Sequence, residues 1–153
     1  MSLQLAVEAD LDQLTDFVQA FHALEGMSME AAAVQAAVRP LLDDPELGRI
    51  WLIRRGALTV GYIAICYGYS IEFASRDAFV DELYVVAAHR GRGVASAALR
   101  LAQAEAARRG VRALHLEVDR SNGPAQKLYE SAGFLRREQY FLMTWRVETS
   151  GKP

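Results

Sequence analysis

The chain has 153 residues, of which 52% are hydrophobic, and a formal net charge of −2 at pH 7. This length and composition suffice for one domain with a substantial core and leave no room for a second domain of ordinary size. The charge lacks the basic surplus that proteins use to neutralise phosphates, so nucleic acid is not an expected partner.

The sequence also argues against membrane insertion and export. No apolar run approaches the roughly 20 residues that cross a bilayer, and the first ten residues, MSLQLAVEAD, lack a basic segment followed by an apolar one. The single cysteine, Cys66, lies in the apolar run GYIAICYGY, where we expect a buried thiol that packs as a small hydrophobe. These features favour a cytoplasmic protein without a disulfide framework.

The first half of the chain predicts a strand, two helices and a strand pair. Apolar residues alternate in the first segment and then recur at helical spacing, and polar residues are placed to cap both helices. Two later segments are rich in β-branched and aromatic residues on either side of a short turn. The predicted elements are a strand at 3–7, helices that follow Asp10 and Ser28, and hairpin strands at 49–54 and 58–69.

In the second half, strands and helices alternate. A strand at 78–86 leads through a glycine-containing turn into a long helix that ends at Gly110, which is suited to the position after a helix C-terminus. A short strand follows at 113–118, and Asn122 is placed to cap the last helix.

The order of these elements predicts an α/β fold, or α+β in some classifications, in one domain that covers residues 1–147. A mixed central sheet of six to seven strands would be flanked by four helices. Residues 134–147 would supply the final strands, and residues 148–153 would form a frayed tail.

The turn between the 78–86 strand and the following helix is the most informative segment. Its sequence, RGRGVA, contains Gly91 and Gly93 but no Ser, Thr, Asp or Asn to cap the helix. A helix N-terminus leaves four backbone N–H groups unpaired and carries about half a positive charge, and glycine lets an anion approach closely. These features predict a phosphate-binding turn reinforced by Arg90 and Arg92, with a solvated glycine turn as the alternative.

A dinucleotide-binding fold would also place a glycine-rich turn before a helix. Gly91 and Gly93 match the start of GxGxxG, and Glu117 or Asp119 follows near the position expected of a ribose ligand. However, the third small position is Ser96, and the motif does not follow the first strand. Only about sixty residues remain after it, too few for the rest of a doubly wound sheet. We therefore disfavour this fold.

Two motifs resemble those of the GNAT superfamily of N-acetyltransferases. RGRGVA, preceded by the strand DELYV, fits the RxxGxA pyrophosphate signature, with Arg90, Gly93 and Ala95 in its defining places. NGPAQKLYESAGF resembles the second CoA-side motif, and the order of elements extends the resemblance from Leu3 to Trp145. The resemblance implies a GNAT fold splayed between its two central parallel strands, with acetyl-CoA as co-substrate and no metal.

The resemblance also implies how CoA is bound. The pyrophosphate would lie on the backbone amides of the glycine turn, and the pantetheine arm would pair with the free backbone of the 78–86 strand. Asn122 and Tyr129 are about 10 Å apart along one helix face and could touch one extended ligand. The predicted CoA-binding residues are Leu83, Tyr84, Val85, Arg90, Gly91, Arg92, Gly93, Val94, Ala95, Ser96, Asn122 and Tyr129.

Acetyl transfer requires a neutral amine, a donor to the carbonyl oxygen and a proton for the departing thiolate. Tyr129 resembles the family's general acid, with a core tyrosine as the alternative. A backbone N–H within residues 83–85 is the expected carbonyl donor. An ammonium with a pKa of about 10.4 must lose a proton before attack, and Glu82 or Asp81 would accept it.

Glu82 and Asp81 are neighbours on one predicted strand. Successive side chains of a strand point to opposite faces, so only one of the two is expected to line the acceptor site. We favour Glu82 as the base. The alternative for either residue is a solvated carboxylate or a salt bridge to an arginine.

The expected acceptor is a primary amine of a small molecule. LTDFVQAFHALEG and YGYSIEFASRDAFVDELYV resemble parts of the diamine acetyltransferase branch, whose first helix lends an aromatic residue and a carboxylate to a polyamine. This chain has Phe21 and His22 there, so that carboxylate is missing, and His22 could instead be a packing residue. The predicted acceptor-binding residues are Phe21, His22, Asp81 and Glu82.

Other functions share these motifs. Acetylation of a protein N-terminus or lysine would need an open groove between the first two helices and the final hairpin. A non-catalytic acyl-CoA-binding module would share the phosphate turn without needing Tyr129. Homodimerisation is common in the family and the FLMTW segment offers apolar surface for it, but the same chain can also cover such an edge.

Overall fold

The computed structural model describes residues 1–148, which form a five-stranded sheet and four α-helices. Residues 149–153, most of the predicted tail, lie outside the described residues. No helix in the described part of the chain is long and apolar enough to cross a membrane. The elements in chain order are β1 (Ser2–Leu5), α1 (Leu11–Leu24), α2 (Ala31–Asp43), β2 (Gly48–Arg55), β3 (Leu58–Ser70), β4 (Ser75–Val85), α3 (Val94–Arg108), β5 (Val111–His115) and α4 (Gly123–Ser131).

The strands lie in the sheet in chain order, β1-β2-β3-β4-β5. The first four are antiparallel to their neighbours, whereas β4 and β5 are parallel. The parallel pair requires a crossover, which α3 provides. The mixed α/β sheet predicted from the sequence is therefore confirmed.

Helices cover both faces of the sheet, and the alternation of side chains along β2 explains why. Ile50 and Leu52 point to one face and pack in the cluster that α1 and α2 complete. Trp51 and Ile53 point to the other face, where the apolar side of α3 is buried. A strand that is apolar on both faces needs cover on both. β4 therefore lies in a sheet that is covered by helices on both faces.

The second helix begins later than the sequence suggests. Ser28 was the expected cap, but α2 starts at Ala31 and its first amide bond runs from Val34 to the carbonyl of Glu30 at 3.0 Å. Gln19 of α1 donates to the carbonyl of Met29 at 3.0 Å. This contact holds the linker against α1 as far as Met29. The position before the helix is occupied by Glu30, so Ser28 is not the cap.

The expectation of six to seven strands is wrong for the described chain, because residues 134–147 form no strand. Alternating apolar residues favoured a strand here, but strand formation also requires a partner edge. Arg137 instead bonds Glu72 in the β3–β4 turn at 2.9 Å, and its carbonyl accepts from the amide of Tyr140 at 3.0 Å. Among residues 1–148, this segment does not pair with β5, and its Phe141 and Trp145 are exposed.

We predict that Gly61→Ala lowers the free energy of unfolding by about 1–3 kcal/mol, the usual cost of overpacking. A Cβ at Gly61 would lie 2.0 Å from the carbonyl oxygen of Tyr84, which cannot move without opening the β3–β4 pairing. Urea denaturation measures the change. Gly123→Ala is the control, since no atom lies within 4 Å of its added methyl group. Equal stability of both variants would contradict the close approach.

Candidate active site

A cavity of about 630 Å³ lies where β4 and β5 diverge. The last registered pair of the two strands is Phe79 with His115, so the rest of β4 lacks a strand partner on that side among residues 1–148. This is the splay that the sequence resemblance implied. The cavity brings together six of the predicted site residues: Phe21, Asp81, Glu82, Leu83, Asn122 and Tyr129.

The start of α4 is fixed by the Asn122 cap that the sequence predicted. The Asn122 side chain accepts from the amide of Ala125 at 3.1 Å, and Pro124 lies in the first turn, where its missing N–H costs no helical hydrogen bond. Tyr129 lies further along the same helix and packs edge-on against Phe134, with ring centroids 6.1 Å apart. The cap and this packing place the Tyr129 ring in the cavity wall.

The Tyr129 hydroxyl is held in its neutral form. Burial is the main cause that raises the pKa of Tyr129, and the negative charge of Glu25 adds to it. A neutral phenol retains its proton and can donate it. The side chain therefore carries the proton that the predicted acid role requires.

A β-bulge places both carboxylates of β4 in the cavity wall. Ala64 of β3 pairs with Glu82, but the next residue, Ile65, pairs with Val80, so Asp81 is an extra residue without a partner. A bulge interrupts the strict alternation of side chains. Asp81 and Glu82 both line the cavity, which corrects the expectation that only one of them would.

The cavity is strongly acidic, and Asp81 is affected by this. Its carboxylate is open to the cavity, yet partial desolvation raises the pKa of Asp81, and the charges of Glu82 and Glu117 raise it further. Glu25 and Asp119 also contribute to the lining. Such a surface attracts a cation, and an ammonium group is a suitable one.

His22 lies behind Glu82 and is absent from the lining of the main cavity. Its Nε2 is 2.5 Å from Oε1 of Glu82, while the Tyr62 hydroxyl donates to Oε2 at 2.6 Å. Burial, followed by the charge and hydrogen bond of Glu82, raises the pKa of Tyr62 far above its ordinary value, so the phenol stays a donor. The structure thus places His22 against Glu82 and leaves Phe21 as the α1 residue of the predicted acceptor set in the cavity.

The glycine turn leaves the N-terminus of α3 uncapped by any side chain. Gly93 occupies the cap position with φ +73°, a left-handed conformation that favours glycine, and its carbonyl accepts the first helical bond from Ala97 at 3.0 Å. The amides of Val94, Ala95 and Ser96 precede that bond and have no intrahelical acceptor. No atom lies within 4 Å of an added Cβ at Gly93, so the approach is open. These features fit the pyrophosphate of CoA.

Arg90 attaches the turn to β4. Its Nε donates to the carbonyl of Val85 at 2.7 Å, and its guanidinium lies 5.6 Å from the centroid of the Tyr84 ring. The side chains of Tyr84 and Val85 pack in clusters on opposite faces of the sheet, so only their backbone could meet a ligand. Gly91, at φ +69°, and Arg92 are exposed. Arg90 and Arg92 are both exposed to solvent.

Sequence reasoning missed much of the lining. Cys66 was expected in the core, but it is half-buried and faces the cavity. The sequence indicates a role for Glu117 and Asp119 only in the disfavoured dinucleotide-binding fold. Because they follow β5, they lie beside the splay between β4 and β5. The lining residues not predicted are Glu25, Met27, Cys66, Phe79, Val80, Leu116, Glu117, Val118, Asp119 and Ala125.

Comparison with solved structures shows the same fold in several proteins. An integron cassette protein from the mobile metagenome of Cole Harbour Salt Marsh is 31% identical, with a TM-score of 0.84 over 96% of this chain and 91% of that chain. A possible acetyltransferase from Clostridium difficile 630 is 19% identical, with a TM-score of 0.85 over 97% and 98%. An aminoglycoside 6'-N-acetyltransferase from Acinetobacter haemolyticus is 18% identical, with a TM-score of 0.77 over 97% and 100%.

The family assignment rests on the sequence. Comparison with curated proteins gave no match. The model of the acetyltransferase (GNAT) family matches residues 13–134, which include the bulged strand, the glycine turn and α4. None of these comparisons shows the diamine branch. The chain therefore belongs to the acetyltransferase (GNAT) family, whose members transfer an acyl group with acetyl-CoA as co-substrate.

Proposed function

We propose that this acetyltransferase transfers an acetyl group from acetyl-CoA directly to a primary amine of a small molecule. The observation that carries the proposal is a single cavity lined by the paired carboxylates Asp81 and Glu82 and by the neutral phenol of Tyr129. An acid and a base that serve one reacting centre must lie within reach of it together.

The acidic lining supports an amine as acceptor. An alkyl ammonium has a pKa of about 10.4, so it arrives as a cation and must lose a proton before it can attack. In our proposal Glu82 accepts that proton, and Asp81 and Phe21 contact the acceptor. Partial burial raises the pKa of Asp81, and the charges of Glu82 and Glu117 raise it further; a bound cation would offset that negative charge.

The open N-terminus of α3 is the proposed seat for the CoA pyrophosphate, bound by the amides of Val94, Ala95 and Ser96. The unpaired side of β4 near Leu83 would bind the pantetheine arm and supply an N–H to the carbonyl oxygen. Acetyl-CoA, when bound, supplies the acetyl group as a thioester. The Tyr129 hydroxyl would give its proton to the departing sulfur and regain one from solvent.

Cys66 bears on whether transfer is direct. It is the one cysteine in the chain and it faces the cavity, so it could in principle carry the acetyl group. However, burial raises the pKa of Cys66 to about 11, with the charges of Asp81 and Glu82 adding to the effect. A neutral thiol is a weak nucleophile. This supports direct attack by the amine.

The proposal is tested by release of free thiol from acetyl-CoA against polyamines, amino acids, aminoglycosides and peptide N-termini, beside calorimetric titration of CoA. Turnover with a small amine is the expected result. Turnover confined to peptides would show that the acceptor is a protein and would contradict the small-molecule proposal. Tight CoA binding without turnover on any acceptor would favour an acyl-CoA-binding module.

We predict that Tyr129→Phe lowers kcat by about 10²- to 10⁴-fold, the range that general acid catalysis contributes. The affinity for CoA should stay nearly unchanged, because the ring and its packing on Phe134 are retained. Steady-state kinetics and calorimetry measure the two effects. Tyr140→Phe, at an exposed tyrosine outside the cavity, is the matched control. An unchanged kcat in Tyr129→Phe would rule out the acid role.

We predict that Gly93→Asp weakens CoA binding by at least tenfold while the domain remains folded. The new carboxylate would stand where the pyrophosphate is proposed to bind, and the open space around Gly93 accommodates it. Gly110→Asp is the control. Gly110 also has a positive φ, +80°, and open space, but it follows the C-terminus of α3. A side chain at either position adopts the same left-handed backbone conformation, so both variants should be strained to a similar extent. Equal CoA affinity of the two variants would show that the glycine turn does not bind CoA.

We predict that Asp81→Asn raises the thermal unfolding midpoint at pH 7 while it lowers turnover. The folded state raises the pKa of Asp81, so it binds this proton more tightly than the unfolded chain does. Stability is therefore lost as pH rises through the acidic range, and the loss is complete above the folded pKa. The gain in Asp81→Asn should shrink as the pH falls toward 4. Asp16→Asn, on the exposed side of α1, should show no such trend.

A further inference from the structure

Three side chains from different elements converge behind the acceptor cavity. His22 comes from α1, Tyr62 from β3 and Glu82 from β4. Nε2 of His22 and the hydroxyl of Tyr62 each contact a different carboxylate oxygen of Glu82, at 2.5 and 2.6 Å. His22 is 8% exposed and Tyr62 is fully buried. Such contacts, made by side chains that packing immobilises, fix the orientation of the carboxylate.

The direction of both hydrogen bonds follows from the chemistry of Glu82. An ionised carboxylate only accepts, so the His22 Nε2 must carry a proton, as the Tyr62 hydroxyl does. Each carboxylate oxygen has a second lone pair, which the two contacts leave free. The Glu82 carboxylate is therefore held in a fixed orientation, with lone pairs left to accept a proton from the cavity side.

His22 is separated from the acceptor cavity by Glu82 itself. It lines a small second cavity of about 80 Å³ between α1, α2 and the sheet. The charged groups that face His22 there are Glu82 and Asp81, both from β4, and Tyr62 is the titratable group from β3. The α2 residues of this cavity, which include Val34 and Val38, are apolar. His22 therefore contacts the carboxylate of Glu82 and lies outside the lining of the acceptor cavity.

We propose that His22 and Tyr62 are positioning residues that hold the Glu82 carboxylate in the orientation in which it accepts a proton from the amine. The proposal rests on the proposed function, because it assigns a role to residues behind the proposed base. It also replaces the expectation that His22 contacts the acceptor. Both residues act through Glu82, so their effect on turnover should vanish when Glu82 cannot act as a base.

The kinetic test compares His22→Leu with His22→Gln in steady-state assays with the best amine. Loss of the donor should lower kcat by about 10- to 100-fold, less than the full contribution of a general base. The KM for the amine and the Kd for CoA should stay within about twofold. The Gln amide can place a donor near the position of Nε2, so His22→Gln should recover most of the activity. A raised amine KM at unchanged kcat would overturn the proposal in favour of an acceptor contact.

A double-mutant cycle with Glu82→Gln shows whether His22 acts through Glu82. His22→Leu should cause little further loss of kcat in the Glu82→Gln background, since groups that act as a unit are not additive. Full additivity would overturn the proposal. If His22→Leu does not fold, Tyr62→Phe serves in the same cycle, because it removes one oxygen and keeps the ring.

The same four proteins, unfolded in urea, test the contact without any substrate. The double variant should be destabilised by less than the sum of the single variants, because Glu82→Gln already removes the charge and one of the two acceptor oxygens that these hydrogen bonds use. This coupling separates the two proposals. If the wild-type protein acetylates no acceptor, the proposed function fails. Independently of that result, strict additivity of the changes in unfolding free energy would overturn the contact between His22 and Glu82. Turnover that Glu82→Gln abolishes but both His22→Leu and Tyr62→Phe leave intact would overturn the positioning role alone.

Discussion

The separation of two parallel strands is the constraint on which the rest of the site depends. β4 and β5 pair only as far as Phe79 and His115, and beyond that point backbone donors and acceptors of β4 lose their strand partner. Backbone polar groups that are withdrawn from a sheet must find water or a ligand. The splay therefore creates both a cavity and a row of hydrogen-bonding groups along one wall. Residues of α3, α4, β4 and β5 pack together in one apolar cluster on one face of the sheet.

The glycine turn and the acceptor cavity, which share no lining residue, have opposite electrostatic character. The uncapped N-terminus of α3 presents free amides and the positive end of a helix dipole, which suit an anion. The acceptor end is lined by carboxylates, among them Asp81 and Glu82 from the bulge. An anionic co-substrate and a cationic acceptor would each be attracted to one end. Their reacting groups would then meet between β4 and the Tyr129 face of α4.

Local features of the site were predictable from the sequence, and tertiary ones were not. The Asn122 cap and the left-handed Gly93 depend on neighbours within a few residues, so sequence patterns reveal them. The bulge at Asp81 depends on how β3 and β4 align, and alternation alone gave the wrong orientation. The contact between His22 and Glu82 spans 60 residues, and nothing in either segment points to the other. Residues 134–147 have the alternating pattern of a strand, but the pattern alone does not determine whether the segment pairs with the edge of the sheet.

The site carries features that oppose stability. Asp81 is partly desolvated beside two other carboxylates, and the first turn of α3 has no side-chain cap. A chain selected for stability alone would place a neutral residue at the bulge and a capping residue at Gly93. Instead, the surrounding structure compensates: Tyr62 and His22 stabilise Glu82, and Arg90 fastens the glycine turn to Val85. These contacts leave open the carboxylate of Asp81 in the cavity and the amides of Val94, Ala95 and Ser96 at the glycine turn.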